Sequence, residues 1–242
     1  TSLAAYSRLR DGKEPIDPDP SLDIATDFLR MLTGEMPDEE TARMFDVCLI
    51  LHAEHGFNAS TISGRVTAAT LSDVYSAITS AIGTLKGPLH GGANTAVMET
   101  LMEIGETDKV EAWLDDALAN KKKIMGFGHR VYKVVDPRAL ILQEFSKRLA
   151  EKGDPKWYEM SQRLETLMKE KKGIDMNVDF YSASTYYSMG IAPDLFTGIF
   201  AVSRMSGWVA PVLEQLSNNR LIRPRANYIG SDARDYVPMA SR

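Results

Sequence analysis

Apolar residues recur at intervals of three and four along most of the chain, the spacing that places them on one face of a helix. Ala25, Phe28 and Leu32, for example, share one face. Gly34 follows as a helix end. The same pattern, bounded by glycines, prolines and capping residues, predicts helices over residues 3–9, 22–32, 38–55, 60–69, 72–83, 96–104, 107–123, 136–152, 155–172, 182–189 and 193–216.

Strand signals are missing from this pattern, because no series of short alternating apolar and polar runs is bounded by turns. The fold class predicted is therefore all-α. We also expect no apolar run long enough to cross a membrane, and no signal peptide at the N-terminus. These expectations predict a soluble, cytoplasmic protein.

Composition changes this picture little. The 242 residues are 44% apolar and 25% charged, as in an ordinary soluble globular protein. The net charge of −5 argues against a general nucleic-acid binder. Cys48 is the one cysteine, so an intrachain disulfide is excluded, and its apolar surroundings predict a core position.

Candidate chemistry is concentrated in three turns marked by glycine or asparagine. Residues 85–94 read L-K-G-P-L-H-G-G-A-N, residues 126–138 read G-F-G-H-R-V-Y-K-V-V-D-P-R, and residues 177–183 read N-V-D-F-Y-S-A. Glycine lets the backbone approach a ligand closely, and arginines beside a histidine suit an anionic ligand that exchanges a proton. Each turn alone also has a structural interpretation.

The alternatives differ for each titratable group. His90 at a glycine-rich helix start is either structural or a neutral imidazole that donates a hydrogen bond to a developing enolate. Asp179 is either a helix cap or a base whose pKa is tuned by burial. His52 and His55 share a helix face or end, but the pair lacks the further ligands that zinc needs, so no metal site is predicted.

Together, two histidines, a carboxylate and several arginines in separate turns indicate proton abstraction beside a carbonyl and recognition of a small polycarboxylate. The three motifs, in this order and spacing, resemble those of the citrate synthase family, in its shorter bacterial and archaeal type. The resemblance runs from about residue 20 to the end of the chain. It includes two further segments, H-A-E-H-G-F-N-A-S-T at residues 52–61 and R-P-R-A-N-Y at residues 223–228.

The resemblance implies condensation of acetyl-CoA with oxaloacetate and hydrolysis of citryl-CoA to citrate and CoA, the entry reaction of the tricarboxylic acid cycle. It assigns Asp179 as the base, His90 to the thioester oxygen and His129 to the ketone of oxaloacetate. It also assigns the residues that bind the substrates, which are His55, Arg138, Arg204 and Arg223 for oxaloacetate, and Ile124, Gly126, Gly128 and Lys133 for CoA. No permanently bound cofactor is implied, since the CoA thioester is a substrate.

The family's architecture implies a large domain of residues 1–89 and 185–242, a small domain of residues 90–184, and an active site in the cleft between them. It also implies a homodimer in which Arg223 reaches the neighbouring subunit's site. Family members extend further at the N-terminus, so we expect the N-terminal part of the large domain to be absent from this chain.

Two rival functions remain open. A 2-methylcitrate synthase, which uses propionyl-CoA, shares every motif. A non-catalytic helical assembly protein that kept the fold is the alternative of another class, and the retained set of polar site residues argues against it.

Overall fold

The computed structural model describes residues 1–129, 131–132 and 134–241. Over these residues no strand forms, and one isolated bridge joins Phe127 to Met176. The all-α prediction is confirmed. The α-helices are α1 (Ser2–Arg10), α2 (Ile24–Thr33), α3 (Glu39–His52), α4 (Ala59–Ala69), α5 (Val74–Leu85), α6 (Ala93–Ile104), α7 (Val110–Ala119), α8 (Pro137–Lys152), α9 (Lys156–Lys172), α10 (Val178–Ser188) and α11 (Phe196–Ser217). Short 3₁₀ helices occupy Thr107–Lys109, Pro193–Leu195 and Met239–Ser241.

Every predicted helical segment overlaps one of these helices, although several boundaries were wrong. α3 ends at His52 rather than at residue 55. α7 ends at Ala119 because Lys121 has a φ of 54°, a left-handed conformation that a right-handed helix cannot include. α10 begins at Val178 rather than at residue 182, because the side chain of Asn177 accepts a hydrogen bond from a first-turn amide.

α10 lies at the centre of the main apolar core. Its aromatic residues Phe180, Tyr181 and Tyr186 are fully buried. It packs against α6, α8 and α9, whereas α11 packs against α3, α4 and α5. Cys48 is buried in the same core, as predicted, and burial raises the pKa of its thiol well above the ordinary value. The division into two domains stays a prediction.

The expectation that no apolar run reaches membrane-spanning length was wrong. Pro193–Ser217, which contains α11, is long and apolar enough by length and composition. Half of its most apolar window is buried inside the fold. A helix that packs against neighbours on several sides is apolar around much of its circumference, so core helices of soluble proteins pass the same test.

Candidate active site

A cleft of about 830 Å³ opens where the turns before α4, α6, α8 and α10 meet the middle of α11. It brings together residues that are far apart in the sequence. The predicted site residues that line it are His55, His90, Ile124, Gly126, Gly128, His129, Arg138, Asp179 and Arg204. Lys133 lies outside the described residues. Arg223 is exposed in the extended segment after α11 and does not line the cleft.

Asp179 occupies the first turn of α10 and does not cap it. The cap is Asn177, whose Oδ1 accepts the Asp179 N–H at 3.0 Å. The Oδ1 atom of Asp179 is buried, with no hydrogen-bond partner in the described part of the chain. Burial raises the pKa of this carboxyl to about 6, and the positive charge of Arg138 acts against the rise. The result is a carboxylate that ionises near neutral pH and has a free acceptor oxygen.

The Asn177 side chain also connects α10 to the central glycine turn. Its Nδ2 donates to the carbonyl of Gly128 at 2.8 Å, and its backbone N–H donates to the carbonyl of Gly126 at 2.9 Å. Gly126 has a φ of 85°, and a Cβ there would lie 2.8 Å from both Phe180 and Val97. Only glycine allows the turn to pack this closely against α10.

His90 lies in the turn before α6, with its Nε2 2.9 Å from Ser60 Oγ. The same oxygen accepts the indole N–H of Trp208 at 3.0 Å. Burial lowers the pKa of His90, and the charge of Arg204 lowers it further. The neutral state expected from the sequence therefore arises from desolvation and Arg204. Within the described part of the chain, Ser60 occupies the Nε2 side of the ring and leaves Nδ1 for a ligand.

His129 is held by the backbone of its own turn. The N–H groups of Val131 and Tyr132 both donate to His129 Nδ1, each at 3.0 Å. Nδ1 therefore acts as an acceptor, which leaves the proton of the neutral ring on Nε2. Burial lowers the pKa of His129 and favours this neutral form. The site thus contains a neutral imidazole whose Nε2–H is a hydrogen-bond donor.

Arg138 is oriented by Asp136, a residue that the sequence analysis did not assign. Asp136 Oδ1 accepts from the backbone N–H and the Nε of Arg138, both at 3.0 Å, and Oδ2 accepts from Nη2 at 2.7 Å. Oδ2 also accepts the N–H of Val178 at 3.2 Å. Burial acts to raise the pKa of Asp136, but the hydrogen bonds and charge of Arg138 outweigh it and lower the pKa. The D-P-R sequence, a capping residue before a first-turn proline, was the signal available for this role.

Arg204 reaches the cleft from α11. Its Nε donates to the backbone carbonyl of His52 at 2.7 Å, and its guanidinium lies 4.8 Å from the centre of the Phe200 ring. Its Nη1 is buried without a partner in the described part of the chain. Burial lowers the pKa of Arg204 to about 10, so the group stays cationic at neutral pH. A buried cation with a free donor is suited to binding a carboxylate.

The two neighbouring histidines of the H-x-x-H pair have different surroundings. His52 is fully buried, and its Nδ1 lies 2.8 Å from the carbonyl of Cys48. Burial lowers its pKa to about 4. His55 lies in the cleft, with its ring centre 5.0 Å from that of His129. Among the described residues, no group of three or more His, Cys, Asp or Glu has the arrangement of a metal site.

Other residues contact the predicted ones although the sequence analysis assigned them no role, and of these Phe200 lines the cleft. These residues are Phe200, Ser60, Tyr132 and Asp136, together with Trp208, which makes its contact through Ser60. Ser60, Tyr132 and Asp136 lie within segments that the sequence analysis singled out, whereas the periodicity and the motifs gave no signal for Phe200 or Trp208.

Comparison with known proteins extends these observations. A family model described as "Citrate synthase, C-terminal domain" matches residues 1–225. "Citrate synthase 2" of Bacillus subtilis is 57% identical over 99% of this chain, and "Citrate synthase" of Haloferax volcanii is 57% identical over 99%. A "2-methylcitrate synthase" of Shewanella oneidensis is 49% identical over 90% of this chain, which covers 59% of that relative.

The fold is also shared. The structure of the Thermoplasma acidophilum citrate synthase, in a ternary complex with carboxymethyl coenzyme A and oxaloacetate, has a TM-score of 0.90 at 40% identity, over 99% of this chain and 66% of that one. This chain spans 65% and 64% of the length of the Bacillus and Haloferax relatives. Because the family match runs without interruption through all the elements that line the cleft, the chain belongs to the citrate synthase family.

Proposed function

We propose that the protein condenses acetyl-CoA with oxaloacetate and hydrolyses citryl-CoA to citrate and CoA. The observation that carries the proposal is a single cleft in which a carboxylate with a buried, unpaired oxygen and a pKa of about 6 faces two neutral histidines and two arginines. This set contains a base, two neutral hydrogen-bond donors and two binding groups for carboxylates. Each has a separate task in the reaction.

Asp179 removes a proton from the methyl group of acetyl-CoA, and the electron pair of the C–H bond becomes that of the enolate. Its free buried Oδ1 and its raised pKa support this role, because a base works best when its pKa is near the working pH. His90 donates a hydrogen bond to the thioester oxygen, where the negative charge of the enolate develops. For this task the Ser60 hydroxyl donates its proton to His90 Nε2 rather than to Asn58 Oδ1, which lies 2.7 Å away, so that Nδ1 carries the proton of the neutral ring. Trp208 holds Ser60 in place.

His129 acts on the other substrate. Its Nε2–H hydrogen-bonds to the ketone oxygen of oxaloacetate, which makes the carbonyl carbon more electrophilic. The enolate carbon then attacks that carbon, a C–C bond forms, and the ketone oxygen takes the proton from His129. The two backbone N–H groups at Nδ1 stabilise the ring while it loses that proton.

Three side chains hold oxaloacetate during these steps. Arg138 and Arg204 bind its carboxylates, and His55 contacts it from beside His129. The fixed orientation of Arg138 on Asp136 and the free Nη1 of Arg204 support these assignments. The glycine turn of Ile124, Gly126 and Gly128, with Lys133, binds the CoA thioester. The thioester of citryl-CoA is then cleaved by water, with CoA as the leaving group.

The whole protein acts as a cytoplasmic homodimer in this proposal, with Arg223 reaching oxaloacetate in the neighbouring subunit. A large domain of residues 1–89 and 185–242 closes on a small domain of residues 90–184. The position of His90 and Asp179 near the two crossings supports closure as the step that assembles the site and excludes water.

One second candidate has a specific observation in its favour. The Shewanella relative named 2-methylcitrate synthase is 49% identical over most of the chain. That reaction uses propionyl-CoA and the same acid–base chemistry. The two candidates differ only in how many carbon atoms the acyl group brings into the cleft.

An assay of CoA release tests both candidates. We expect oxaloacetate-dependent thiol release with acetyl-CoA, at a kcat/KM at least about tenfold above that with propionyl-CoA, since one methylene in a pocket is worth 10–200-fold. A preference for propionyl-CoA assigns the second candidate instead. Absence of CoA release with either thioester contradicts both.

A further inference from the structure

Three aromatic rings form a cluster at the end of the cleft where oxaloacetate is proposed to bind. The ring trio consists of His55, His129 and Tyr132. The Tyr132 ring centre lies 4.6 Å from that of His129 and 5.5 Å from that of His55. The two imidazole centres are 5.0 Å apart and cross at 73°. Tyr132, to which the motifs gave no role, therefore contacts both histidines.

The backbone of Tyr132 already takes part in holding His129. Its N–H donates to His129 Nδ1, together with that of Val131. Two donors at one ring atom fix the position of that atom, but the ring can still pivot about it. Because Nε2–H lies across the ring from Nδ1, a rotation about Nδ1 displaces it most. Packing of the Tyr132 ring, inclined by 33° to the imidazole, restricts this pivot.

His55 needs the same support for a different reason. It follows the end of α3 and precedes α4, so helical hydrogen bonds do not hold its backbone. Its Nε2 is buried and has no partner in the described part of the chain. Contact with Tyr132 sets the position of the His55 ring, and thereby sets the distance between the two imidazoles.

We propose that Tyr132 is a positioning residue for oxaloacetate, whose ring holds the His55 and His129 imidazoles in the arrangement that polarises the ketone. The inference rests on the proposed function, and it assigns the work to the aromatic ring rather than to the hydroxyl group. Its effect falls on the ketone, so it changes kcat and the state of bound oxaloacetate while affecting acetyl-CoA binding little.

The test compares Tyr132→Phe, which keeps the ring, with Tyr132→Leu, which removes it. The readouts are kcat, the KM of each substrate and the infrared stretching frequency of the ketone of bound oxaloacetate. A hydrogen bond to the oxygen weakens the carbonyl bond and lowers that frequency. We expect the Leu variant to lose about 10- to 100-fold in kcat, as misplacement by about 1 Å does, with its ketone frequency shifted back toward the free value. The Phe variant should stay within about threefold of the unmodified protein in kcat.

Two controls protect this comparison. Tyr75→Leu removes a tyrosine that is exposed on α5 and does not line the cleft, and it should leave every readout unchanged. If Tyr132→Leu melts early, Tyr132→Met provides a flexible side chain that fills the space without a ring, and the same loss is expected. Thermal melts on each sample identify the folded variants.

The inference is overturned if the Leu and Met variants both keep the kcat of the unmodified protein and its lowered ketone frequency. A Phe variant as impaired as the Leu variant also overturns it, because the hydroxyl is then the working group. The infrared measurement requires only bound oxaloacetate. A protein that binds oxaloacetate and shows the expected frequency changes, but does not release CoA, contradicts the proposed function and supports the role of Tyr132. A protein that does not bind oxaloacetate contradicts both.

Discussion

Asp179 shows how a single residue position decides between two chemical roles. One residue separates it from Asn177, which makes the capping hydrogen bond at the start of α10. Asp179 is therefore turned into the protein with its Oδ1 unpaired. An unpaired buried carboxylate costs stability, since its charged form is desolvated without compensation. This cost is what raises its pKa to about 6 and makes it suitable as a base.

The variant Asp179→Asn should lose activity and gain stability. Turnover should fall by about 10²–10⁴-fold, because the amide cannot take the proton. The pKa of Asp179 rises from an ordinary value of 3.8 to about 6 in the folded protein. Between these pH values the folded state binds more protons than the unfolded state, so this carboxyl lowers stability as pH rises through the window. Above pH 6 the cost is complete, and the variant should melt at a higher temperature than the unmodified protein.

Melting at pH 4 and pH 8 measures this effect. At pH 4 both forms of the protein carry a neutral group at position 179, so the two melting temperatures should converge. The alternative role as a helix cap predicts the opposite, a loss near 1 kcal/mol at both pH values with nearly unchanged turnover. A variant that melts early and turns over normally contradicts the assignment of Asp179 as the base.

At the scale of elements, ion pairs connect the start of α3 to the end of α8. Lys152 Nζ lies 3.0 Å from Asp38 Oδ1 and 2.7 Å from Glu40 Oε2, and Arg148 lies 3.1 Å from Glu40. Asp38 also caps α3 through the N–H of Thr41. The Thr41 hydrogen bonds, with Lys152, lower the pKa of Asp38 to about 2. These contacts join helices that belong to different domains in the proposed division.

Replacing Lys152 by Met should destabilise the protein slightly and in a salt-dependent way. Exposed ion pairs contribute about 0.2–1 kcal/mol each. The loss should nearly vanish at 1 M salt, where the screening length is about 3 Å. Lys147→Met on the same helix is the matched control, since no ion pair of Lys147 is found among the described residues, and it should have no effect. Denaturant titrations at low and high salt measure the difference, and a loss that is equal at both contradicts an ionic origin.

At the scale of the whole molecule, Asp136 connects Arg138, which is proposed to bind oxaloacetate, to the start of α10, which carries Asp179. It holds Arg138 and also accepts the N–H of Val178, next to the proposed base. Burial, and then the positive charge of Arg138, lower the pKa of Arg204. In the proposed function, oxaloacetate binds to both arginines and neutralises the repulsion between them. Neutralisation removes a force that keeps the two sides of the cleft apart.

Oxaloacetate should therefore bind first and draw the molecule together. A ligand shifts such an equilibrium only by its differential affinity for the closed form. We expect small-angle scattering to show a smaller radius with oxaloacetate, and calorimetry to show stronger binding of a CoA thioester analogue in its presence. An unchanged radius, together with equal affinity in both conditions, rules out this order.

The sequence by itself determined the helical class and the location of the helices, because the three- and four-residue periodicity follows from one buried face per helix. It also determined the chemical types at the site, since three motifs carry the histidines, the carboxylate and Arg138. The boundaries at Ala119 and Val178 were missed because they depend on a left-handed residue and on a side-chain cap, which periodicity does not record.

Only the tertiary structure decided the surroundings of each site residue. The periodicity of the chain could not tell whether Asp179 caps α10 or lies unpaired, because the same local sequence is compatible with both arrangements. The state of His90 depends on burial and on Arg204, and its ring position depends on Ser60 and Trp208, which are distant in sequence. Desolvation and contacts between elements arise only when the chain is packed, so the pKa values and orientations of the site are properties of the fold.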